Sequence, residues 1–169
     1  MISKELEKAF NEQITFEIYS EYIYLSMQAY CARMHLAGFT NWLDIQVKEE
    51  RAHAMGLYNY VISRGGKVEL GAIDAPKQDW NSVLEVFEDV LKHEQIVTSR
   101  INALADIADE VKDRAATSFL DWYISEQVEE ENNASEILAK LRLIKEDANA
   151  LLLLDKDLAA RVFNPPVIG

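Results

Sequence analysis

The chain has 169 residues, 49% of them hydrophobic, with six glycines and three prolines; this composition favours helices and one domain with a substantial core. The net charge of −12 argues against nucleic acid as a partner, because no basic stripe is present to displace counterions from phosphates. No apolar run reaches the roughly 18 residues of a membrane span. With no apolar signal region at the start and a single cysteine, Cys31, we expect a cytoplasmic protein without disulfides or a thiolate metal site.

Two long helices are predicted at the start of the chain, over about residues 4–34 and 41–64, because apolar residues recur there at the helical period. Gly38 lies between them and is expected to turn the chain. Each helix has an acidic residue at the centre of its apolar face, Glu17 on the first and Glu50 on the second.

Residues 67–80 have no helical period and contain Gly71 and Pro76, which indicates a linker. Fourteen residues near full extension span about 45 Å, and a helix of nearly thirty residues is about 42 Å long. The linker is therefore long enough to cross a whole helical bundle, which would leave the helices on either side of it parallel. A linker of this length without structure of its own is unusual unless it has such a task.

Three more helices are predicted after the linker. The first is capped at Asn81 or Ser82, with Glu85 three residues after the serine as in a capping box. A polar break near residues 110–113 separates it from a helix that runs to about residue 145, and a shorter helix follows over about residues 148–162.

These elements predict an all-α fold: a four-helix bundle over about residues 4–145 with a long crossover between its second and third helices and a short fifth helix. We expect the whole chain, residues 1–169, to form a single domain of this kind. The fifth helix carries four consecutive leucines, Leu151–Leu154. A monomer would cover only part of them, and exposed apolar surface of this kind marks an interface.

Four polar residues lie at the centres of the four long apolar faces, one on each helix: Glu17, Glu50, Glu94 and Gln127. A buried carboxylate is costly without a partner, so one polar residue per helix at similar depth suggests a shared partner. Glu50 is followed by His53 at i+3, and Gln127 by Glu130 at i+3. Single carboxylates on two helices with an i,i+3 pair on each of the other two is how four-helix bundles hold two metal ions.

The ligand types favour iron or manganese, since oxygen ligands with one imidazole are poor for copper(I) or a thiolate zinc site. Glu17, Glu50 and His53 would hold one ion, and Glu94 and Glu130, with Glu50 shared, would hold the other. The glutamine on the fourth helix is neutral, so the second ion would be bound more weakly, as suits an ion in transit. The predicted ends of the first two helices leave their acidic residues mismatched by about 10 Å along the axis.

Four segments resemble the non-haem bacterial ferritins: ITFEIYSEYIYLSM around Glu17, VKEERAHA around Glu50, LKHEQ around Glu94 and SEQVEEE around Gln127. The resemblance covers nearly the whole chain, including the long crossover and the fifth helix. It implies a ferroxidase in which Fe(II) binds at the paired site and dioxygen or peroxide takes the electrons. The Fe(III) would then migrate to a ferric oxyhydroxide mineral inside a hollow homo-oligomeric shell of about 24 subunits.

The resemblance also implies roles for individual residues. The ferroxidase centre of the family is matched by five residues: Glu17, Glu50, His53, Glu94 and Gln127. Its third iron site beside the pair is matched by three more: Glu49, Glu126 and Glu129. Glu130 matches the remaining carboxylate, and Tyr24 matches a tyrosine beside the iron pair that serves as electron donor or hydrogen-bond partner. A solvated charged face would also account for the third-site residues, and ordinary core packing would account for Tyr24.

The sequence departs from related families at several positions. Ala52 stands where bacterioferritins have a haem-binding methionine, so no haem is expected through that ligand. Thr117 and Leu120 stand at the threefold-pore positions where vertebrate ferritins have acids, so iron entry by that route is not supported. Ala52 and Met55 also replace the carboxylates that nucleate mineral in vertebrate light chains.

Two other classes of protein compete with this interpretation of the sequence. A rubrerythrin-like peroxidase would normally carry a CxxC pair domain, which a chain with one cysteine lacks. A helical scaffold or assembly protein whose buried carboxylates are incidental remains the alternative outside the enzymes. Substitution of Glu50 by alanine separates it from the ferroxidase, because metal binding would collapse only in the latter.

Overall fold

The computed structural model describes residues 1–145 and 147–168, and these form five helices with no strand among them. The helices are α1 (Lys4–Arg33), α2 (Ala37–Ser63), α3 (Val83–Glu110), α4 (Arg114–Ile144) and α5 (Ala148–Leu158). The predicted all-α four-helix bundle with a short fifth helix is therefore confirmed. None of the helices in the described ranges is both long and apolar enough to cross a membrane.

The bundle buries two separate hydrophobic clusters with a polar layer between them. α1 packs on α2, α3 packs on α4, α1 also contacts α3, and α5 lies against α2 and α4. One cluster is built around Phe10 and Leu120, and the other around Phe39 and Phe87. Apolar side chains thus exclude water from the polar layer on both sides along the bundle axis.

The linker crosses the bundle along α1, as its length predicted. It starts beside Asn11, whose side chain donates to the carbonyl of Lys67 and accepts from the amide of Glu69, both at 2.9 Å. It ends near the other end of α1, where the Ser26 hydroxyl donates to the carbonyl of Lys77 at 2.6 Å. The end of α2 and the start of α3 therefore lie at opposite ends of the bundle, and these two helices run parallel.

α2 begins at Ala37, four residues before the predicted start at Asn41, because a distant side chain caps it. The Asp155 carboxylate of α5 accepts hydrogen bonds from the amides of Gly38 and Phe39 at 2.8 and 3.0 Å. The prediction that Gly38 turns the chain was wrong. A Cβ atom there would lie 1.5 Å from the Asp155 carbonyl oxygen, so glycine is required for the close approach of α5.

α5 ends at Leu158, four residues short of the predicted end at residue 162. The Asn41 side chain donates to the carbonyls of Leu158 and Arg161 at 3.2 and 3.0 Å, and so turns the chain away from the helix. The segment that follows returns along the bundle, and Ile168 packs against the hydrophobic cluster around Phe10. The C-terminal segment, residues 159–168, thereby contacts α2 beside the polar layer.

Candidate metal centre

Three of the predicted ligands converge in the polar layer. Glu17 of α1 and Glu50 and His53 of α2 are all buried, and each offers one ligand atom that lies within 4.8 Å of the other two. The early start of α2 explains why they meet: Glu17 lies 16 residues before the end of α1 and Glu50 lies 13 residues after the start of α2. The difference of three residues is about 4.5 Å along the axis, so the expected mismatch of about 10 Å was wrong.

Three ligand atoms of this cluster lack hydrogen-bond partners. Glu17 Oε2, Glu50 Oε2 and His53 Nε2 are the buried side-chain nitrogen and oxygen atoms without a partner within residues 1–145 and 147–168. Leaving a buried polar atom unpaired costs roughly 1–3 kcal/mol. All three such atoms belong to one cluster of carboxylate and imidazole groups, which makes this cluster the candidate cation site.

Glu94 and Glu130, the other predicted carboxylate ligands, interact electrostatically with Glu50. Burial raises the pKa of Glu50 well above its ordinary value, and the charges of Glu94, Glu17 and Glu130 raise it further. Burial also raises the pKa of Glu130 strongly, with the charge of Glu94 adding to it, and raises the pKa of Glu94 to about 7. Four carboxyl groups buried together are not all ionised without a cation among them.

His53 is held in its neutral form. Burial lowers its pKa to about 4, so at neutral pH the imidazole has a lone pair for a metal ion. Its Nδ1 lies 3.7 Å from Glu50 Oε2, and its Nε2 lies 3.9 Å from Glu126 Oε1. The Trp122 ring packs edge-on against the imidazole with ring centroids 5.6 Å apart, and the Tyr123 hydroxyl donates to the His53 carbonyl at 2.9 Å.

Glu94 is held by two other predicted residues. Its Oε1 accepts a hydrogen bond from the Tyr24 hydroxyl, and its Oε2 accepts one from the Gln127 amide at 3.2 Å. Gln127 also donates to the Thr98 hydroxyl at 3.3 Å. Burial raises the pKa of Tyr24 well above its ordinary value, so the phenol stays protonated and donates to the carboxylate. Glu94, Gln127 and Tyr24 thus form one hydrogen-bonded group beside the cluster.

The three residues matched to a third iron site are not brought together as ligands. Glu49 forms an ion pair with Arg161 of the C-terminal segment, with Nη2 and Oε2 2.7 Å apart. Glu126 is half-buried, and burial and the charge of Glu129 raise its pKa; Glu129 itself is exposed. Within the described ranges, the group of acidic and histidine ligand atoms that meets within 4.8 Å contains none of these three.

Sequence reasoning missed four residues beside the site: Gln13, Gln46, Arg100 and Arg161. Gln13 donates to Glu17 Oε1 at 2.7 Å, and Gln46 donates to Glu130 Oε2 at 3.0 Å. A signal for the glutamines was present, since each precedes a predicted ligand, Glu17 or Glu50, by four residues on the same helix face. Arg161 has no such signal, because it lies beyond the last helix.

The chain belongs to the ferritin-like family, because residues 7–144 match the model of the ferritin-like domain. A protein of Staphylococcus aureus (strain USA300) named bacterial non-heme ferritin is 44% identical over 97% of this chain and 99% of its own length. Among solved structures, an open-pore ferritin from the archaeon Archaeoglobus fulgidus is 49% identical with a TM-score of 0.95, covering 96% of this chain and all of that one. A humanized archaeal ferritin has 48% identity and a TM-score of 0.96 over 98% of this chain and 100% of its own. The predicted family is thus confirmed.

Proposed function

We propose that this protein stores iron as a ferritin and that the buried cluster of Glu17, Glu50 and His53 is part of a ferroxidase centre. The observation that carries the proposal is the set of three unpartnered ligand atoms in this cluster. Membership in the ferritin-like family supports it, as does the name of the Staphylococcus relative. A scaffold with incidental carboxylates would have paired these atoms with donors or left them in water.

Two Fe(II) ions are the substrates in this proposal. Glu17, Glu50 and His53 bind one ion, and Glu94 and Glu130, with Glu50 shared, bind the other. Carboxyl groups that hold protons in the free protein release them when the cations enter. Each ion gives up one electron, so the pair reduces one dioxygen to peroxide, or one peroxide to two waters. The resulting Fe(III) leaves for a ferric oxyhydroxide mineral in the interior of the shell.

Gln127 and Tyr24 set how tightly the second ion is bound in this proposal. Both donate hydrogen bonds to Glu94 rather than adding negative charge. The second ion therefore has fewer charged ligands than a full carboxylate set would offer and is released more readily. Of the two roles that the resemblance implies for Tyr24, electron donor and hydrogen-bond partner, its hydrogen bond to Glu94 supports the second.

We also propose a homo-oligomeric shell of about 24 subunits, a closed symmetric assembly. Leu152 and Leu153 of α5 are 59% and 66% exposed, which supports an interface on this helix. The five helices act as one unit over residues 1–169 in this proposal, because Asp155 of α5 caps α2 and Arg161 of the C-terminal segment donates a hydrogen bond to Gln46 beside the metal centre.

Glu49, Glu126 and Glu129 are proposed as a third iron site of lower affinity. The three groups do not meet as ligands in the free protein. Burial raises the pKa of Glu49, and the charges of Glu126 and Glu129 raise it further, so all three carboxylates contribute to the negative potential that would attract a cation here. Arg161 already supplies a positive charge to Glu49. A third ion therefore has to displace this guanidinium from the carboxylate, which places it below the first two in affinity.

Calorimetric titration of the metal-free protein with Zn²⁺ tests the proposed centre without any redox step. We expect two tight ions per subunit, with a third, weaker step at Glu49, because the ligands divide into two sets that share Glu50. Glu136→Gln is a control variant, since it removes an exposed carboxylate on α4 that is not among the unpartnered ligand residues. Binding of no more than one ion per subunit would contradict the paired centre.

A further inference from the structure

The buried carboxylate of Glu17 is reached by a chain of two hydrogen bonds that begins at an arginine. Arg100 of α3 donates from Nε to Gln13 Oε1 at 3.0 Å, and Gln13 Nε2 donates to Glu17 Oε1 at 2.7 Å. The guanidinium lies over the Phe16 ring, 4.1 Å from its centroid. The arginine is thus held by an aromatic ring on one side and by the glutamine on the other.

A second chain of the same kind reaches Glu130 on the opposite side of the centre. Arg161 of the C-terminal segment donates from Nη1 to Gln46 Oε1 at 2.6 Å, and Gln46 Nε2 donates to Glu130 Oε2 at 3.0 Å. This guanidinium also lies over an aromatic ring, with its carbon 4.8 Å from the centroid of Trp42. The two chains come from different parts of the sequence, yet they join the same three residue types in the same order.

An arginine in this position fixes which way the glutamine amide points. A guanidinium only donates, whereas an amide has one accepting oxygen and one donating nitrogen. With its oxygen held by arginine, the glutamine must turn its nitrogen to the carboxylate and bind one of the two carboxylate oxygens. In Glu17 the other carboxylate oxygen, Oε2, has no hydrogen-bond partner and is free to bind a metal ion.

We propose that Arg100 and Arg161 are positioning residues for the metal centre. Arg100 acts through Gln13 to orient Glu17 toward one ion, and Arg161 acts through Gln46 to orient Glu130 toward the other. Without the arginine, the amide is free to flip and set its oxygen against the carboxylate. This inference rests on the proposed function, because the carboxylates it positions are the proposed metal ligands.

The two arginines therefore act on different ions, so each substitution should weaken a different one of the two Zn²⁺ binding steps. Loss of outer-shell partners of this kind typically weakens metal binding by about 10- to 100-fold. Arg100→Gln is expected to weaken one of the two tight Zn²⁺ steps by about tenfold and to leave the other within about twofold. Arg161→Gln is expected to weaken the other step. This substitution is made in protein that already carries Glu49→Gln, and the double variant is compared with the Glu49→Gln variant. That background prevents a freed Glu49 from adding an ion of its own.

Double variants separate positioning through the glutamine from a general structural role. If Arg100 acts through Gln13, then Arg100→Gln combined with Gln13→Leu binds Zn²⁺ no more weakly than Gln13→Leu alone. Arg142→Gln is the matched control, because Arg142 is exposed and pairs with Glu88 on the surface. We expect this control to titrate as the wild type does.

The outcomes distinguish this inference from the proposed function. If the wild type binds two tight Zn²⁺ ions and the arginine variants do the same, the positioning role is wrong while the ferroxidase centre stands. Additive losses in the double variant would also overturn it, because they would mean that arginine and glutamine act separately. A wild type without two tight steps would remove the proposed centre and the positioning role together.

Discussion

We expect Glu50→Ala and His53→Ala each to abolish rapid oxidation of Fe(II) while the assembly stays intact. Glu50 is shared between the two ions, and the neutral His53 is the imidazole ligand of the cluster, so loss of either leaves no complete pair. Removal of a ligand should cost more than the roughly 100-fold upper range for loss of an outer-shell partner. Stopped-flow absorbance of Fe(III) after anaerobic protein is mixed with Fe(II) and oxygen measures the rate.

The assembly should survive loss of Glu50 because the carboxylates of the centre repel one another in the free protein. Removing Glu50 takes one carboxyl group out of a buried cluster whose charges oppose one another. Glu136→Ala is the control, since Glu136 is an exposed carboxylate on α4. Size exclusion of each variant checks the particle. A variant that keeps both the shell and the wild-type oxidation rate would rule out the site assignment.

Above about pH 6.5, the ordinary pKa of histidine, the histidines are neutral in both the folded and the unfolded state. In that range the stability of the metal-free protein is expected to fall as the pH rises. Burial raises the pKa of Glu94 to about 7 and raises those of Glu50 and Glu130 well above their ordinary value. The folded state therefore binds more protons than the unfolded chain, and stability falls as the pH rises through these values. His53 and His93, with pKa values of about 4, act in the opposite direction only below about pH 6.5.

Saturating Zn²⁺ should restore this stability by replacing the protons that the carboxylates lose. At a metal concentration about 1,000 times the dissociation constant, each site adds about 4 kcal/mol to the free energy of unfolding. For a chain of this size that corresponds to a rise in melting temperature on the order of 10 °C. Scanning calorimetry with and without Zn²⁺ measures the rise, and Glu50→Gln should show a smaller one. A melting temperature that does not respond to saturating metal would count against a clustered site.

The bundle and the ligand cluster of Glu17, Glu50 and His53 could be predicted from the local sequence pattern, because both depend on the spacing of residues along single helices. Glu50 and His53 share a helix face at a spacing of three, and Glu17 lies at the centre of an apolar stripe. The crossover was predicted from length alone, since only a chain of that reach could join parallel helices. These features need no knowledge of distant contacts.

Features that depend on distant contacts could not be predicted in this way. The start of α2 is set by Asp155, which lies 117 residues beyond Gly38. The ion pair of Glu49 with Arg161 joins residues 112 apart, so the charge run around Glu126 and Glu129 gave no sign that an arginine shares this surface. A run of acidic residues fits both a solvated face and a metal site. Only the tertiary structure brings in Arg161, with which a third ion would have to compete for Glu49.

Aerobic loading with Fe(II) followed by size exclusion, with protein and iron measured in every fraction, tests the central claim most directly. If the protein stores iron as a ferritin, we expect many irons per subunit, co-eluting with a particle far larger than the 19.3 kDa chain. Saturation at about two irons per subunit would instead describe a paired metal enzyme without a mineral store. Protein that elutes without iron, on a particle of any size, would contradict both the storage function and the metal centre.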